Sequence, residues 1–158
     1  MSEQEPIEVD SRPGQTKVLV TPTAVRGVDI YSFRWVKDAR GDLTAAEFES
    51  ELPFRPKQYF IVSGVPSGQI RGEHAHKQCH QFLICAHGQC SVTVDDGKTR
   101  LEVLLNKPSI GIYLPPMIWG SQQYSADAAL LVFASEPYDP QDYIREYSAF
   151  LSAVRAAD

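Results

Sequence analysis

The sequence predicts an all-β fold, a jelly-roll barrel followed by a single C-terminal helix. Three observations carry that expectation. Short runs of alternating apolar and polar residues recur along most of the chain, Gly and Pro turns separate them at regular intervals, and one stretch near the end has helical spacing. The length of 158 residues fits one domain with a real core, expected over residues 16–158. The first 15 residues hold Glu, Ser, Asp, Pro and Gly without apolar period and are expected to form a flexible tail.

Each element follows from local pattern. Thr16 to Thr21 reads as a short strand. From Val28 to Val36, Tyr31, Phe33 and Trp35 alternate with Ser32 and Arg34, which marks a half-buried strand. Asp38 to Asp42 is a turn, with Gly41 free to take positive φ, and Leu43 to Phe48 returns from it. Tyr59 to Val62 is expected to be a buried strand, and Val65-Pro66-Ser67-Gly68 turns the chain again. Phe82 to Cys85 is an apolar strand. Gln89–Val94 and Arg100–Leu105 flank Asp95-Asp96-Gly97, a strong hairpin signal. Gly111 to Leu114 is stopped by Pro115-Pro116, and Ala128 to Ala134 reads as a central buried strand. From Pro140, residues Tyr143, Ile144, Tyr147, Phe150, Leu151 and Val154 recur at spacings of three and four, so a helix is expected to begin there.

Composition excludes several functions. A net charge of −5 argues against a general nucleic-acid role. There is no apolar run of membrane-spanning length and no secretory segment near the start. The three cysteines, Cys79, Cys85 and Cys90, are odd in number and lack CxxC spacing. They are expected to be free thiols in a cytoplasmic protein.

The stretch Arg71-Gly72-Glu73-His74-Ala75-His76-Lys77 concentrates the chemistry, with two of the four histidines of the chain. On a strand, positions i and i+2 share a face. His74 and His76 are therefore expected to point together into a β-lined cavity, suited to acid–base chemistry or metal ligation. A small jelly roll with inward histidines is similar to the cupin architecture. Metal-binding cupins would add a Glu a few residues on and a His after the second-half turn. His80 and Gln81 stand near the first place, and Pro115 to Ser121 holds no histidine. His80 lies past a probable turn, so no metal is expected.

Longer strings carry a more specific resemblance. Asp38-x-Arg40-Gly41, Arg71-Gly72-x-His74-Ala75-His76-Lys77, Gln81-x-Leu83, Asp95-Asp96-Gly97, Gly111 to Pro116, Trp119, and Ala134-Ser135-x-x-Tyr138-Asp139-x-x-Asp142-Tyr143-Ile144-Arg145-x-Tyr147 occur in this order. Over about Asp38 to Ala153 the chain resembles the nucleotide-sugar 3,4-ketoisomerases, cupin enzymes acting on dTDP-4-keto-6-deoxyglucose in deoxysugar biosynthesis. The resemblance implies a metal-free, cofactor-free homodimer with exchanged N-terminal strands. It implies that His74 and His76 are the acid–base pair, with their order of action open. No nicotinamide is needed for an internal redox change, and no dinucleotide fingerprint is present. Arg71 and Arg40 are candidates for the diphosphate, since a guanidinium pairs with phosphate oxygens in a bidentate fork. Lys77 is a weaker candidate, and Trp119 is expected either to line the pocket and stack on the base or to be a core aromatic. Tyr138, Asp139, Tyr143 and Arg145 are expected to dock the helix. Gln58 and Gly120-Ser121 depart from the family pattern. A sugar epimerase, a metal-dependent oxygenase and a non-catalytic sugar-nucleotide binder are the alternatives.

Overall fold

The computed structural model describes residues 4–158. In chain order the elements are β1 (Ile7–Glu8), β2 (Leu19–Pro22), β3 (Asp29–Ser32), β4 (Trp35–Asp38), β5 (Gly41–Thr44), α1 (Phe48–Glu51), β6 (Gln58–Ser63) and β7 (Ile70–His76). They continue with β8 (Gln81–His87), β9 (Cys90–Asp95), β10 (Arg100–Leu105), β11 (Ile110–Leu114), β12 (Trp119–Tyr124), β13 (Ala129–Ala134), β14 (Tyr143–Ile144) and α2 (Tyr147–Ala157). Two six-stranded sheets form the barrel, ordered β1-β10-β9-β12-β7-β14 and β2-β3-β11-β8-β13-β6, and β4 and β5 form a separate hairpin. This is the expected all-β jelly roll with a C-terminal helix.

Period-two alternation explains the core. Val92, Val94, Val103 and Leu105 of one sheet meet Leu83, Cys85, Ile110, Ile112, Leu130 and Val132 of the other, all buried in one cluster. Each such side chain contributes about 1.5–3 kcal/mol of burial. Cys85 and Cys90 belong to this core as small apolar residues, and Cys79 is buried as well. Outside the second sheet, Tyr31, Phe33 and Phe82 pack edge to face and stacked. Gly111 makes room for them, since a Cβ there would lie 2.3 Å from the Phe82 ring. Outside the first sheet, α2 lays Phe150, Leu151 and Val154 over Ala75 and Trp119. The tight turn between β9 and β10 is tied by Asp96, whose Oδ1 accepts from the amides of Lys98 at 2.9 Å and Thr99 at 2.8 Å.

Several expectations change. The described part of the expected tail runs along the barrel: β1 pairs in parallel with β10, and the Ser11 and Ser109 hydroxyls are 2.7 Å apart in a buried contact. The single strand expected over Val28 to Val36 is two, because the chain leaves the sheet at Phe33 to enter the β4–β5 hairpin. β6 is an exposed edge rather than a buried strand, with Tyr59 and Ile61 66% and 59% exposed. β12 was not expected as a strand.

The C-terminal helix begins at Tyr147, not Pro140. A short 3₁₀ turn at Pro140–Asp142 leads instead into β14, where Tyr143 pairs with His76 and Ile144 with Ala75. This pairing covers the outer edge of β7 at Ala75 and His76, beside the histidine pair.

Candidate active site

β7 builds the site, and an irregularity makes it work. Gly72 has φ +85° and Glu73 φ +57°. Opposite them, Gly72 pairs with Ser121 while His74 pairs with Gly120, so Glu73 is the extra residue of a β-bulge. Paired residues share a face. Arg71 lies opposite Gln122 and His74 opposite Gly120, and both partners line the barrel interior. Three residues apart on a regular strand, Arg71 and His74 would face opposite ways. The bulge restores the parity and turns Arg71, His74 and His76 to the same side, where they line two adjoining pockets that share His74. It holds Glu73 in left-handed backbone that costs a non-glycine residue about 1–2 kcal/mol. Gly72 is required twice over, since a Cβ there would meet Gln122 Oε1 at 2.8 Å.

The two imidazoles stand edge to face, 5.0 Å between centroids and 87° between planes. The Tyr143 ring caps both, 4.9 Å from His74 and 4.4 Å from His76. Arg145 lies 4.3 Å over the outer part of that tyrosine. His76 Nδ1 is 3.0 Å from Asp142 Oδ2, with both side chains nearly buried. The amide of Met117, held at φ +64°, donates to the His76 carbonyl at 2.7 Å and fixes the strand from the other side. His74 Nδ1 and His76 Nε2 are buried without a hydrogen-bond partner among the described residues.

Burial sets the charge state. It pushes His74 down to about 4, assisted by neighbouring His76 and by Arg145 and opposed by a contact with the Gly72 main chain. Burial also lowers His76; its hydrogen bond and charge interaction with Asp142 oppose the shift, and Arg145 adds to it. Both rings are therefore neutral at pH 7, ready to accept a proton, and neither rests at the ordinary histidine value.

The cavity beside His74 is narrow, about 80 Å³, and opens between Phe60, Arg71, Gln122 and Tyr124. Gln81 and Gln122 line it next to the histidines. Two roomier clefts, of about 340 and 350 Å³, lie elsewhere, the first beside Arg100 and the second beside Trp35. Neither contains a histidine.

Of the six expected site residues, His74 and Arg71 line this cavity, and His76 lines a smaller adjoining pocket that shares His74, Gln81 and Gln122 with it. Arg40 does not. It sits at the tip of the β4–β5 hairpin, 90% exposed, with its guanidinium turned onto Asp38 at 2.8 Å. Lys77 does not line the cavity either: it is exposed, and its ammonium donates to the Gln141 carbonyl at 3.0 Å. Trp119 faces outward beneath α2, against Tyr147 and Phe150, because Gly120 and Gln122 take the inward positions of β12. It is the core aromatic of the two expected alternatives. Asp142 and Tyr143 join the site instead, as does Gln122. His80 is elsewhere, its Nδ1 2.6 Å from the Tyr113 hydroxyl.

Among the described residues, His76, Cys79 and Asp142 place possible metal-ligand atoms within 4.8 Å of one another. His76 and Asp142 are already bonded to each other, and Asp142 also accepts from the amides of Gln78 and Cys79. That arrangement fits a hydrogen-bonded dyad better than a metal cage.

A jelly roll with paired neutral imidazoles on an inward strand, one of them backed by a carboxylate, defines a cupin suited to acid–base chemistry. The chain belongs to the family described as FdtA: WxcM-like, C-terminal, whose model matches residues 26–155. It is 37% identical over 122 residues to the TDP-4-oxo-6-deoxy-alpha-D-glucose-3,4-oxoisomerase of Aneurinibacillus thermoaerophilus, covering 77% of this chain and 88% of that one. It is also similar to two solved structures. One is a histidine-to-asparagine variant of the 3,4-ketoisomerase QdtA from Thermoanaerobacterium thermosaccharolyticum in complex with TDP-4-keto-6-deoxyglucose (TM-score 0.80, 32% identity, covering 84% of this chain and 96% of that one). The other is the WlaRB TDP-quinovose 3,4-ketoisomerase of Campylobacter jejuni (TM-score 0.76, 37% identity, covering 81% and 99%).

Proposed function

We propose that His74 and His76 carry out proton transfer in a 3,4-ketoisomerase reaction. The chain is an isomerase of deoxysugar biosynthesis, and its substrate on this reading is dTDP-4-keto-6-deoxyglucose. The observation that carries the mechanism is the pair of buried imidazoles, each neutral and each with one ring nitrogen lacking a hydrogen-bond partner among the described residues.

The chemistry follows from the ketone. The C3 proton of a 4-keto sugar is acidic because it lies beside the carbonyl. An imidazole nitrogen takes it, and the C–H electron pair becomes the C3=C4 bond of an enediolate with its charge on O4. The O3 proton then passes to O4, the imidazolium returns a proton to C4, and the ketone stands at C3. Protons and electrons balance within the sugar, so no external oxidant is required. A neutral imidazole accepts the first proton, and the resulting imidazolium is a competent donor for the second.

Size divides the ligand. A cavity of about 80 Å³ takes part of the hexose, so the diphosphate and base lie toward the mouth. Arg71 stands there and supplies a bidentate donor for phosphate oxygens. Gln81 and Gln122 supply amide groups to sugar hydroxyls.

The working unit on this reading is a homodimer. β6 and β2 are the two edges of one sheet, and Tyr59, Ile61, Leu19 and Val20 are exposed along them. Apolar edges of this kind favour pairing with another chain. In the described residues β2 pairs with β3 of the same chain. Among the described residues no helix is long and apolar enough to cross a membrane, and three free cysteines suit the cytoplasm, where sugar nucleotides are made.

Incubation with dTDP-4-keto-6-deoxyglucose in D₂O, followed by NMR, tests the reaction. A ketone at C3 is expected, with solvent label wherever the transferred proton exchanges. His74→Asn and His76→Asn should each still bind dTDP and lose about 10²- to 10⁴-fold in turnover. Near-normal turnover in both variants would refute the assignment.

A further inference from the structure

We propose that Asp142 is a positioning residue for this reaction: its carboxylate holds the Nδ1 proton of His76 and so fixes the ring with its Nε2 lone pair turned into the barrel. The proposal rests on the reading of His76 as an acid–base group.

The carboxylate is itself held. Asp142 Oδ1 accepts from the Gln78 amide at 2.8 Å, and Oδ2 accepts from the Cys79 amide at 3.2 Å. The Asp142 carbonyl accepts from the Lys77 amide at 2.9 Å, and the Asp142 amide donates to the Asp139 carbonyl at 3.1 Å. These contacts bridge the end of β7 to the segment entering β14 and leave the side chain little freedom. Its second oxygen then lies 3.0 Å from His76 Nδ1. Two main-chain amides and the His76 ring thus converge on one nearly buried carboxylate.

An acceptor at Nδ1 decides the tautomer. A neutral imidazole carries one proton, and opposite a carboxylate that proton belongs on Nδ1. Nε2 is left as the basic nitrogen, buried and with no hydrogen-bond partner among the described residues. Tyr143, 4.4 Å away, and His74, 5.0 Å away, block rotation of the ring out of this orientation. When Nε2 takes a proton, the imidazolium sits against the Asp142 negative charge in a site that otherwise disfavours cations. Among the described residues, the titratable and charged groups around His76 are His74, Cys79, Tyr138, Asp139, Asp142, Tyr143 and Arg145. Asp142 is the one among them bonded to the ring. His74 has no carboxylate of its own, which makes the two histidines unequal.

The sequence contains this aspartate in the Tyr138 to Tyr147 string, 66 residues after His76. Read as the start of a helix, it would dock α2. The 3₁₀ turn and β14 carry it into the site.

The first test is nitrogen-detected imidazole NMR of the full-length wild-type protein at pH 7. His76 is expected in the Nδ1–H form, and an Nε2–H form would overturn the proposal. The second is Asp142→Asn. The amide oxygen can still accept from a main-chain amide, but its NH₂ turned to His76 favours the wrong tautomer. Binding of dTDP should be kept, kcat should fall by about 10²- to 10⁴-fold with KM little changed, and His76 should switch to Nε2–H. The acid limb of kcat/KM should move to lower pH, since the group that raises the His76 pKa is gone. Wild-type kcat in this variant would overturn the proposal. If the variant does not fold, the wild-type tautomer decides. Turnover surviving in His76→Asn would instead remove the catalytic reading of His76, and the tautomer would still report on the contact with Asp142.

Discussion

Burial moves His74 from 6.5 to about 4 in the folded chain, which makes the fold sensitive to acid. As pH falls, the unfolded chain takes up the proton first. A folded value below the unfolded one means that this contribution is complete above pH 6.5 and is lost as the pH drops toward about 4. Proton uptake by the two states differs by about 2 kcal/mol at about pH 5, and the full loss below both values is about 3 kcal/mol. His76 is lowered as well and adds in the same direction. Replacing His74 with Asn removes its share while keeping a polar side chain. Urea unfolding of wild type and His74→Asn, at one protein concentration across about pH 4.5 to 8, reads the difference. The gap between them should move by about 2 kcal/mol in the variant's favour on going from neutral pH to about pH 5. Parallel curves would show that His74 titrates as an exposed histidine does and that the neutral-pair mechanism begins from the wrong charge state.

Three other outcomes are expected. Gly72→Ala places a Cβ at positive φ and 2.8 Å from Gln122 Oε1; thermal unfolding should show a loss of about 1–3 kcal/mol. Light scattering should give twice the chain mass of 17.6 kDa, and Tyr59→Lys with Ile61→Glu should bring it to one chain mass. Prolonged chelation should leave turnover unchanged, with metal content far below one per chain; activity lost on stripping and restored by a metal would contradict this.

The barrel was readable where its strands bury one face and expose the other. Val92 and Val94 alternate with Ser91, Thr93 and Asp95 because only the barrel core selects them. β12 hides for the same reason. Its inward residues Gly120 and Gln122 face a polar cavity, so no apolar alternation marks Trp119–Tyr124 as a strand. β14 hides because Tyr143 and Ile144 fall in helical phase with Tyr147 and Phe150, while the pairing that overrides this phase lies on β7. The His74–Ala75–His76 string announces itself by period two, although the bulge at Glu73 that brings Arg71 to the same side leaves no compositional sign beyond Gly72. Trp119 and Arg40 show the limit of residue type as evidence. An indole and a guanidinium suit a nucleotide, but the pleat turns one under a helix and the hairpin carries the other away.

The position of Asp142 near the end of the chain bears on how the protein is made. β7 has β12 on one side and β14 on the other, and β14 precedes only α2. During synthesis the histidine strand emerges long before the groups that complete its surroundings. The barrel sheets can assemble while β7 still has a bare edge. A chain stopped short of Asp142 would keep both histidines but lack the carboxylate, the Tyr143 cap and the helix over Trp119. On the proposed mechanism, a chain ended before β14 would fold toward a barrel that does not turn over.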